Sequence, residues 1–523
     1  MQDRAPQTPV PFAAIDLGSN SFHLVVARVL GDWVSIVDRL RDPVRLAGDL
    51  DDKGRLSEAG LERMLASLER FRQRLKDIPP ERIFATGTNT FRRARAPKDL
   101  LARAQEALGA PIQILAGQEE ARLIYLGVVR ELPPSERRRF VIDIGGGSTE
   151  CILGRGNQPV YTDSLHMGCV SWSQRFFPDG KLTRERFRKA ETAAKLELET
   201  LQDRFTRMGW TEAFGSSGTI LAISRILAAI DSDAGAIERA GLKRLRKLMV
   251  EAGNVKSLDL PGLDRDRRPV LPGGLAILKA AFDMLSIQSL RPTKAALREG
   301  ILYQQIGRFG GDDLRETTVQ NLLERYHIEL RQAERVERVS ARLFDSVSQA
   351  WKLDEEAGRF LRWAALLHEI GLAITYAGYH RHGSYIIQNS NLPGFSLQEK
   401  ERLALLVLEH RRKFRREWFD DLGPSFAKPF RRLCVILRLA CRLNRMRSDY
   451  PLPRIETTAE RNDLVMRFPE GWLAEHPLTR ADLEDEASIL KSAGFSLTVL
   501  EEGAESTPIV EPPQKKQAAE KKP

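Results

Sequence analysis

The sequence predicts an α/β core built from two related halves, followed by an all-α region and a small α+β unit. Three observations carry this. An apolar run ending in aspartate, a turn with glycine and serine, and a second apolar run occur at residues 12–29 and again at 140–154. Short β-like runs alternate with helical periodicity around and between these two stretches, and from Asp312 to about Arg447 the pattern becomes helical almost throughout.

The first stretch reads as a strand from Phe12 to Asp16, a turn over Leu17 to Ser21, and a strand from Phe22 to Val29. The second runs from Phe140 to Asp143, through Ile144 to Glu150, and on through Cys151 to Gly154. Ile15 and Ile142, Asp16 and Asp143, Gly18 and Gly145, and Ser21 and Ser148 superpose without a gap. A repeated strand, aspartate and glycine turn implies a duplicated domain, with the two aspartates facing one cleft. Between the hairpins we expect a helix near Leu61 to Leu75, a strand at Ile83 to Thr86, a helix from Pro97 to Leu108 and a strand from Ile112 to Leu115. Beyond the second hairpin, helices are expected over Arg184 to Met208, from Ile220 after the Gly215 to Thr219 turn, and from Gly273. Strands at Asp463–Phe468 and Phe495–Leu500 flank a helix. The expected domains are 12–125, 126–310, 311–447 and 448–502, between a flexible N-terminus (1–11) and a disordered tail (503–523).

At 523 residues the chain is long enough for several cores, and 42% hydrophobic residues suffice to fill them. The four cysteines, Cys151, Cys169, Cys434 and Cys441, show no paired spacing, which argues against a disulfide framework or structural zinc and for a reducing setting. No apolar leader opens the chain and no stretch approaches 18 uncharged apolar residues, so neither secretion nor a membrane span is expected. We expect a cytoplasmic setting, with peripheral attachment to a membrane left open. The net charge of +10 points to an anionic partner without choosing among nucleic acid, lipid and polyanion.

The glycine turns carry the chemistry. Glycine accepts the positive φ that other residues avoid, so a glycine turn after a strand can aim several N–H groups into one concavity that suits phosphate. Asp143 before the 145–148 turn and Glu150 after it place two carboxylates where a hard cation, magnesium for preference, would sit beside that phosphate. Gln118-Glu119-Glu120-Ala121-Arg122 opens a helix, where acids ordinarily only complement the helix dipole; a catalytic reading needs one of them turned into the cleft to orient water. Thr86 to Arg92 offers hydroxyls and a guanidinium for phosphate oxygens, or simply a capped helix start.

Taken together, several segments resemble the Ppx/GppA phosphatases: Ala-Ile-Asp-Leu-Gly-Ser-Asn-Ser (14–21), Thr-Gly-Thr-Asn-Thr-Phe-Arg (86–92), Gln-Glu-Glu-Ala-Arg-Leu-Ile (118–124), Val-Ile-Asp-Ile-Gly-Gly-Gly-Ser-Thr-Glu (141–150), His-Met-Gly-Cys-Val (166–170), Gly-Ser-Ser-Gly-Thr (215–219) and Leu-Arg-Glu-Gly-Ile-Leu (297–302). The likeness continues through Leu-Leu-His-Glu-Ile-Gly (366–371) and residues 380–390, and so is strongest to the long, four-domain exopolyphosphatases. It implies the duplicated actin-like ATPase (ASKHA) fold with an HD-like all-α domain behind it. It implies Glu120 as catalytic base and Asp143 and Glu150 as magnesium ligands. Asp16, Gly18, Ser19, Asn20 and Ser21 would form one phosphate loop and Gly145, Gly146, Gly147 and Ser148 the other. Thr88, Arg92, Gly215 and Ser217 would supply further phosphate contacts. Asn89 stands where the family varies and receives no role. A homodimer is also implied.

Two weaker constellations remain. His368-Glu369, His380, His382 and His410 resemble an HD-type metal centre, but the doublet is His-Glu and the pattern is incomplete. We read these histidines as packing groups or, with His380, Arg381 and His382, as secondary phosphate contacts. Residues 411–447 hold twelve basic and three acidic residues, a segment charge of +9, which leaves +1 for the rest of the chain. Arg411, Arg412, Lys413, Arg415, Arg416, Arg431 and Arg432 would form a track for a long polyanion. The expected activity is therefore exopolyphosphatase, releasing terminal orthophosphate from inorganic polyphosphate. Guanosine pentaphosphate (pppGpp) is the alternative substrate, and an RNA or anionic-surface binding protein with a vestigial nucleotide fold is the alternative of another class. Nucleic-acid binding is not excluded at this point.

Overall fold

The computed structural model describes residues 9–30, 33–51, 53–94, 97–230, 235–448 and 451–502. The expected disordered tail lies outside the described residues. The chain forms two compact units, residues 1–313 and 314–523.

The first unit contains two sheets. One has the order β3-β2-β1-β4-β5, from β1 (Val10–Leu17), β2 (Phe22–Leu30), β3 (Trp33–Asp42), β4 (Ile83–Gly87) and β5 (Ile112–Ile114). The other has the order β10-β11-β9-β6-β7-β8, from β6 (Arg138–Ile144), β7 (Thr149–Arg155), β8 (Gln158–Leu165), β9 (Glu212–Ser216), β10 (Ile237–Glu238) and β11 (Ser289–Pro292). In each, an antiparallel meander of three strands continues into parallel strands: β1 pairs with β4, and β6 with β9. This is the duplicated actin-like arrangement. The third strands, β3 and β8, do not stand out in the sequence, because charged and polar residues break their apolar alternation.

The helices of this unit are α1 (Glu58–Arg74), α2 (Asn89–Arg93), α3 (Pro97–Leu108), α4 (Gly117–Arg130), α5 (Cys169–Phe176), α6 (Arg184–Met208), α7 (Ser217–Ile230), α8 (Arg239–Ala252), α9 (Leu271–Met284) and α10 (Leu297–Phe309). Their boundaries have local causes. Helix α1 begins before the expected Leu61 because Ser57 accepts a hydrogen bond from the Gly60 N–H. Helix α6 starts on Thr183, which accepts from Arg186 N, and stops at Gly209, whose φ of 60° breaks the helical path.

Two helices join the sheets. Although α4 follows β5, it packs on β7 and β8; α10 follows β11 but packs on β1 and β2. The helices cross where Gly127 meets Gly300: a Cβ on Gly127 would lie 2.3 Å from the Ala296 carbonyl oxygen, and one on Gly300 would lie 1.9 Å from that of Leu123. Phe12, Ala14, Leu123, Ile124, Val141, Ile152 and Ile301 share one apolar cluster around this crossing. Gly300→Ala must force the helices apart, and the expected cost is about 3 kcal/mol or more. A thermal melt that moves by less than a degree would show that the crossing relaxes freely.

The second unit comprises α11 (Leu314–Arg325), α12 (Leu330–Trp351), α13 (Glu355–Leu367), α14 (Tyr379–Asn389), α15 (Leu397–Glu409), α16 (Glu417–Asp420) and α17 (Pro424–Leu443), then β12 (Glu456–Glu460), β13 (Asp463–Phe468), α18 (Trp472–Glu475), α19 (Pro477–Ser492) and β14 (Ser496–Glu501). The sheet order is β12-β13-β14. A three-stranded sheet this small buries little by itself. Met466, Phe468, Leu490 and Val499 join Trp351, Trp363, Leu433 and Leu437 in one core, so the helical region and the α+β region fold around common apolar contacts.

Candidate active site

Strand register places the two aspartates equivalently. Asp16, near the end of β1, is opposite His23 of β2 and Thr86 of β4; Asp143, near the end of β6, is opposite Glu150 of β7 and Ser216 of β9. Both strands lie inside their sheets, and their C-terminal ends open on a cleft of about 780 Å³. Ligands of open α/β sheets bind at such ends.

The loops after the two strands touch. A Cβ on Gly146 would lie 3.2 Å from Ser19 Cβ and 3.3 Å from Asn20 Cβ, and Thr90 Oγ1 donates to Ser19 Oγ at 2.9 Å. The second loop is pinned from behind. Gly145 N donates to Ser148 O, while Cys169 N and Val170 N donate to the carbonyls of Gly145 and Gly146. The N–H groups of Gly146, Gly147 and Ser148 have no acceptor among the described residues, leaving three donors at the cleft wall for an anion. One expectation needs correcting. None of Gly18, Gly145, Gly146 and Gly147 adopts a left-handed φ; a Cβ would be in close contact at Gly18, Gly145 and Gly146, at 3.0–3.2 Å from its nearest neighbour, and would collide at Gly147, 2.0 Å from Asn89 Nδ2.

The two glutamates at the start of α4 have different surroundings. Glu119 is buried and held bidentately by Arg122, with Nε and Nη2 each donating at 2.8 Å. Glu120, 7% exposed, lines the cleft, and its Oε2 accepts one hydrogen bond from Arg92 at 2.7 Å. Arg92 also donates to the Leu115 carbonyl and stands behind Glu120, outside the cleft lining. Ser164 of β8 donates to Glu150 Oε1 at 2.8 Å and packs against Gly117, where a Cβ would lie 2.7 Å from its own. The start of α4 and the Glu150 carboxylate are thereby fixed to the same strand.

Asp16, Asp143 and Glu150 make no ion pair among the described residues. Burial pushes the Asp16 carboxyl up to about 8, with the Glu120 charge adding to it and Arg298 opposing. Burial also raises Asp143 to about 6, against the hydrogen bond from Ser216, and raises Glu150 well above the carboxylate range, with Glu120 and Asp143 contributing. Such a set lacks positive charge. No three His, Cys, Asp or Glu side chains among the described residues converge closely enough to hold a metal by themselves. Asp143 and Glu150 could hold a hard cation only together with waters or ligand oxygens.

Asp16, Gly18, Ser19, Asn20, Ser21, Thr88, Glu120, Asp143, Gly145 to Ser148, Glu150 and Ser217 all line the cleft; Gly215 does not, lying beneath Ile220 and Leu290. Several lining residues carried no assignment from sequence: His23, Arg39, Arg41, Asn89, Arg225, Arg267, Lys294 and Arg298. Arg298 sits inside the Leu-Arg-Glu-Gly segment, a signal that was available. Arg267 is 8% exposed with its guanidinium over Gly218, where a Cβ would lie 1.9 Å from Nη2. Burial lowers its pKa, and Arg41 and Arg225 act in the same direction.

In the second unit, part of the charge of residues 411–447 is matched by carboxylates outside the segment. Arg415 pairs with Glu409, Arg438 and Arg442 with Glu486, Arg445 with Asp482, and Arg447 with Glu329 and Glu369. Arg431 pairs with Asp420, and Arg432 donates to the carbonyls of Trp351 and Arg461. Arg411 lies 4.4 Å above the Tyr379 ring. The count within the segment therefore overstates the charge left for a polyanion. His368, His380 and His410 are buried together, with ring centroids 5.6 Å apart for 368 and 410 and 6.4 Å for 380 and 410, and burial lowers the pKa of each. Arg381 is exposed and His382 half-buried.

The Ppx/GppA phosphatase family matches residues 25–309, and its domain III matches residues 314–487. A guanosine-5'-triphosphate,3'-diphosphate pyrophosphatase of Aeromonas hydrophila is 39% identical over 494 residues, 94% of this chain and 99% of that protein. Among solved structures, an exopolyphosphatase from Cytophaga hutchinsonii is similar with a TM-score of 0.53 at 22% identity, covering 57% of this chain and 98% of its own. A second solved chain, described as an exopolyphosphatase-like protein, has a TM-score of 0.51 at 21% identity, covering 57% of this chain and all of its own. At these identities the two structures speak to fold alone.

Proposed function

The chain belongs to the Ppx/GppA phosphatase family, a family of phosphoanhydride hydrolases, and from that premise we propose that its substrate is guanosine pentaphosphate, pppGpp. The observation that carries this is the 39% identity, sustained over 94% of the chain, to an enzyme named for that substrate. The pairing of Arg438, Arg442, Arg445 and Arg447 with carboxylates outside the segment agrees, because it leaves less charge for an extended polyanion than the residue count suggests. The reaction is attack of water on the terminal phosphorus of the 5'-triphosphate, with the bond to the bridging oxygen breaking and ppGpp and orthophosphate leaving.

Each part of the cleft has a task in this reading. Glu120 orients the water and accepts its proton, while Arg92 fixes the carboxylate from behind. The free N–H groups of Gly146, Gly147 and Ser148 stabilise charge on the transferred phosphoryl. A divalent cation held by Asp143 and Glu150 would neutralise phosphate charge. The basic residues at the cleft, Arg41, Arg225, Arg267 and Lys294 among them, suit a substrate carrying phosphates at both ends of a nucleoside. The four cysteines are free thiols, and no described helix is long and apolar enough to cross a membrane. The homodimer that the family resemblance implies is kept as part of the proposal.

Chromatography of the products tests the substrate. In magnesium buffer, pppGpp should convert to ppGpp with one orthophosphate per nucleotide. The second reading, exopolyphosphatase, rests on the Arg411 to Arg416 run, and release of orthophosphate from long polyphosphate with pppGpp left intact would establish it instead.

A further inference from the structure

We propose that Asn89 is a substrate-contacting residue of the hydrolytic site, donating from its Nδ2 to the phosphoryl group held against the 145–148 loop. Asn89 is the first residue of α2, on the first sheet's side of the cleft, and Gly147 is on the second sheet's loop. The Asn89 side chain is 5% exposed and lines the cleft. Its amide makes no hydrogen bond among the described residues, although it lies among acceptors and donors that are otherwise tied: Thr90 to Ser19, Thr88 to Leu17 O, and Arg92 to Glu120.

Gly147 explains where that amide points. A Cβ on Gly147 would lie 2.0 Å from Asn89 Nδ2 and 3.2 Å from Asn89 Cγ, so the glycine leaves the space that the amide occupies. Its backbone φ is not left-handed, which removes the usual conformational reason for glycine at this position. The amide faces the cleft and has no acceptor among the described residues, so it is available to donate to a bound group. The acceptor that its position suits is an oxygen of the phosphoryl that the Gly146, Gly147 and Ser148 N–H groups await. Because the two loops meet here, Asn89 supplies a donor from the opposite wall, so the transferred group would be gripped from both sheets at once. The inference uses the proposed function only for the presence of a phosphoanhydride, whichever molecule carries it.

The test compares Asn89→Ala and Asn89→Asp with the unaltered protein on pppGpp and on long polyphosphate, and measures inhibition by orthovanadate, a phosphoryl-transfer mimic. On whichever phosphoanhydride the unaltered protein hydrolyses, Asn89→Ala should lower kcat by about 30-fold with KM changed far less, and should weaken vanadate inhibition about as much. Asn89→Asp keeps the shape but replaces a donor by a negative charge, and should cost about 10³-fold. Gly147→Ala, which evicts the amide, should reproduce the Asn89→Ala loss, and the double variant should lose little more. Melting temperatures within about 2 °C of the unaltered protein exclude unfolding as the cause. Asn89→Ala and Asn89→Asp both within threefold of the unaltered enzyme, or equal to each other in activity, would overturn the assignment. Hydrolysis of polyphosphate but not pppGpp would overturn the substrate reading while leaving Asn89 to be scored on polyphosphate.

Discussion

Glu120→Gln lowers the rate of phosphate release by about 10³-fold while leaving the fold intact, an effect in the middle of the range for losing a positioned general base. The glutamine keeps the size of the side chain and an oxygen that can accept from Arg92, so the 2.7 Å contact survives while proton acceptance does not. Its neighbour provides the internal control. Glu119 is locked to Arg122, so Glu119→Gln disturbs a buried pair, and its effect belongs in stability rather than in the chemical step. Single-turnover phosphate release with a parallel thermal melt separates the two. If Glu119→Gln abolished turnover at unchanged melting temperature and Glu120→Gln did not, the assignment of the pair would be reversed.

Asp143→Asn moves activity and stability in opposite directions. Asp143 is buried beside Glu150, Glu120 and Asp16 in a cleft floor with no ion pair to Asp16, Asp143 or Glu150 among the described residues, and burial, with a smaller contribution from the Glu120 charge, disfavours its ionised form. Replacing it by its neutral isostere relieves that penalty, so the melting temperature without magnesium should rise by about 2–4 °C. Activity should fall by about 10³-fold, as it does when a transferred phosphoryl loses its charge stabilisation. Magnesium should restore the balance: at 100 times its dissociation constant it should stabilise the unaltered protein by about 2.7 kcal/mol, and stabilise Asp143→Asn far less. A variant that melted lower than the parent, or that gained as much from magnesium, would contradict the role given to this carboxylate.

How legible all this was depended on the range of the interactions involved. The paired hairpins could be read because Asp16 and Asp143 precede glycine turns at matching positions, a local pattern that also defines the cleft. The start of α6 at Arg184 and its end at Gly209 were likewise set by neighbours in the chain. The choice between Glu119 and Glu120 was not local in this sense. It rests on Arg92, which stands 28 residues before the glutamate it holds. Part of the charge balance of residues 411–447 was unreadable for the same reason, since Glu486 and Asp482, which pair with Arg438, Arg442 and Arg445, lie on α19. Strand β3 was hidden by its charged residues, of which Arg39 reaches the buried Glu299 at the start of α10. Asn89 stayed anonymous because its meaning comes from Gly147, on another sheet.

The central claim is that a water molecule, oriented by Glu120, attacks the terminal phosphorus in the cleft between the two sheets. Hydrolysis of pppGpp in ¹⁸O-enriched water tests it most directly. Mass spectrometry should find one ¹⁸O in the released orthophosphate and none in ppGpp, with Glu120→Gln suppressing label incorporation in step with turnover. Label appearing in the nucleotide, or incorporation that persists unchanged in Glu120→Gln, would contradict it.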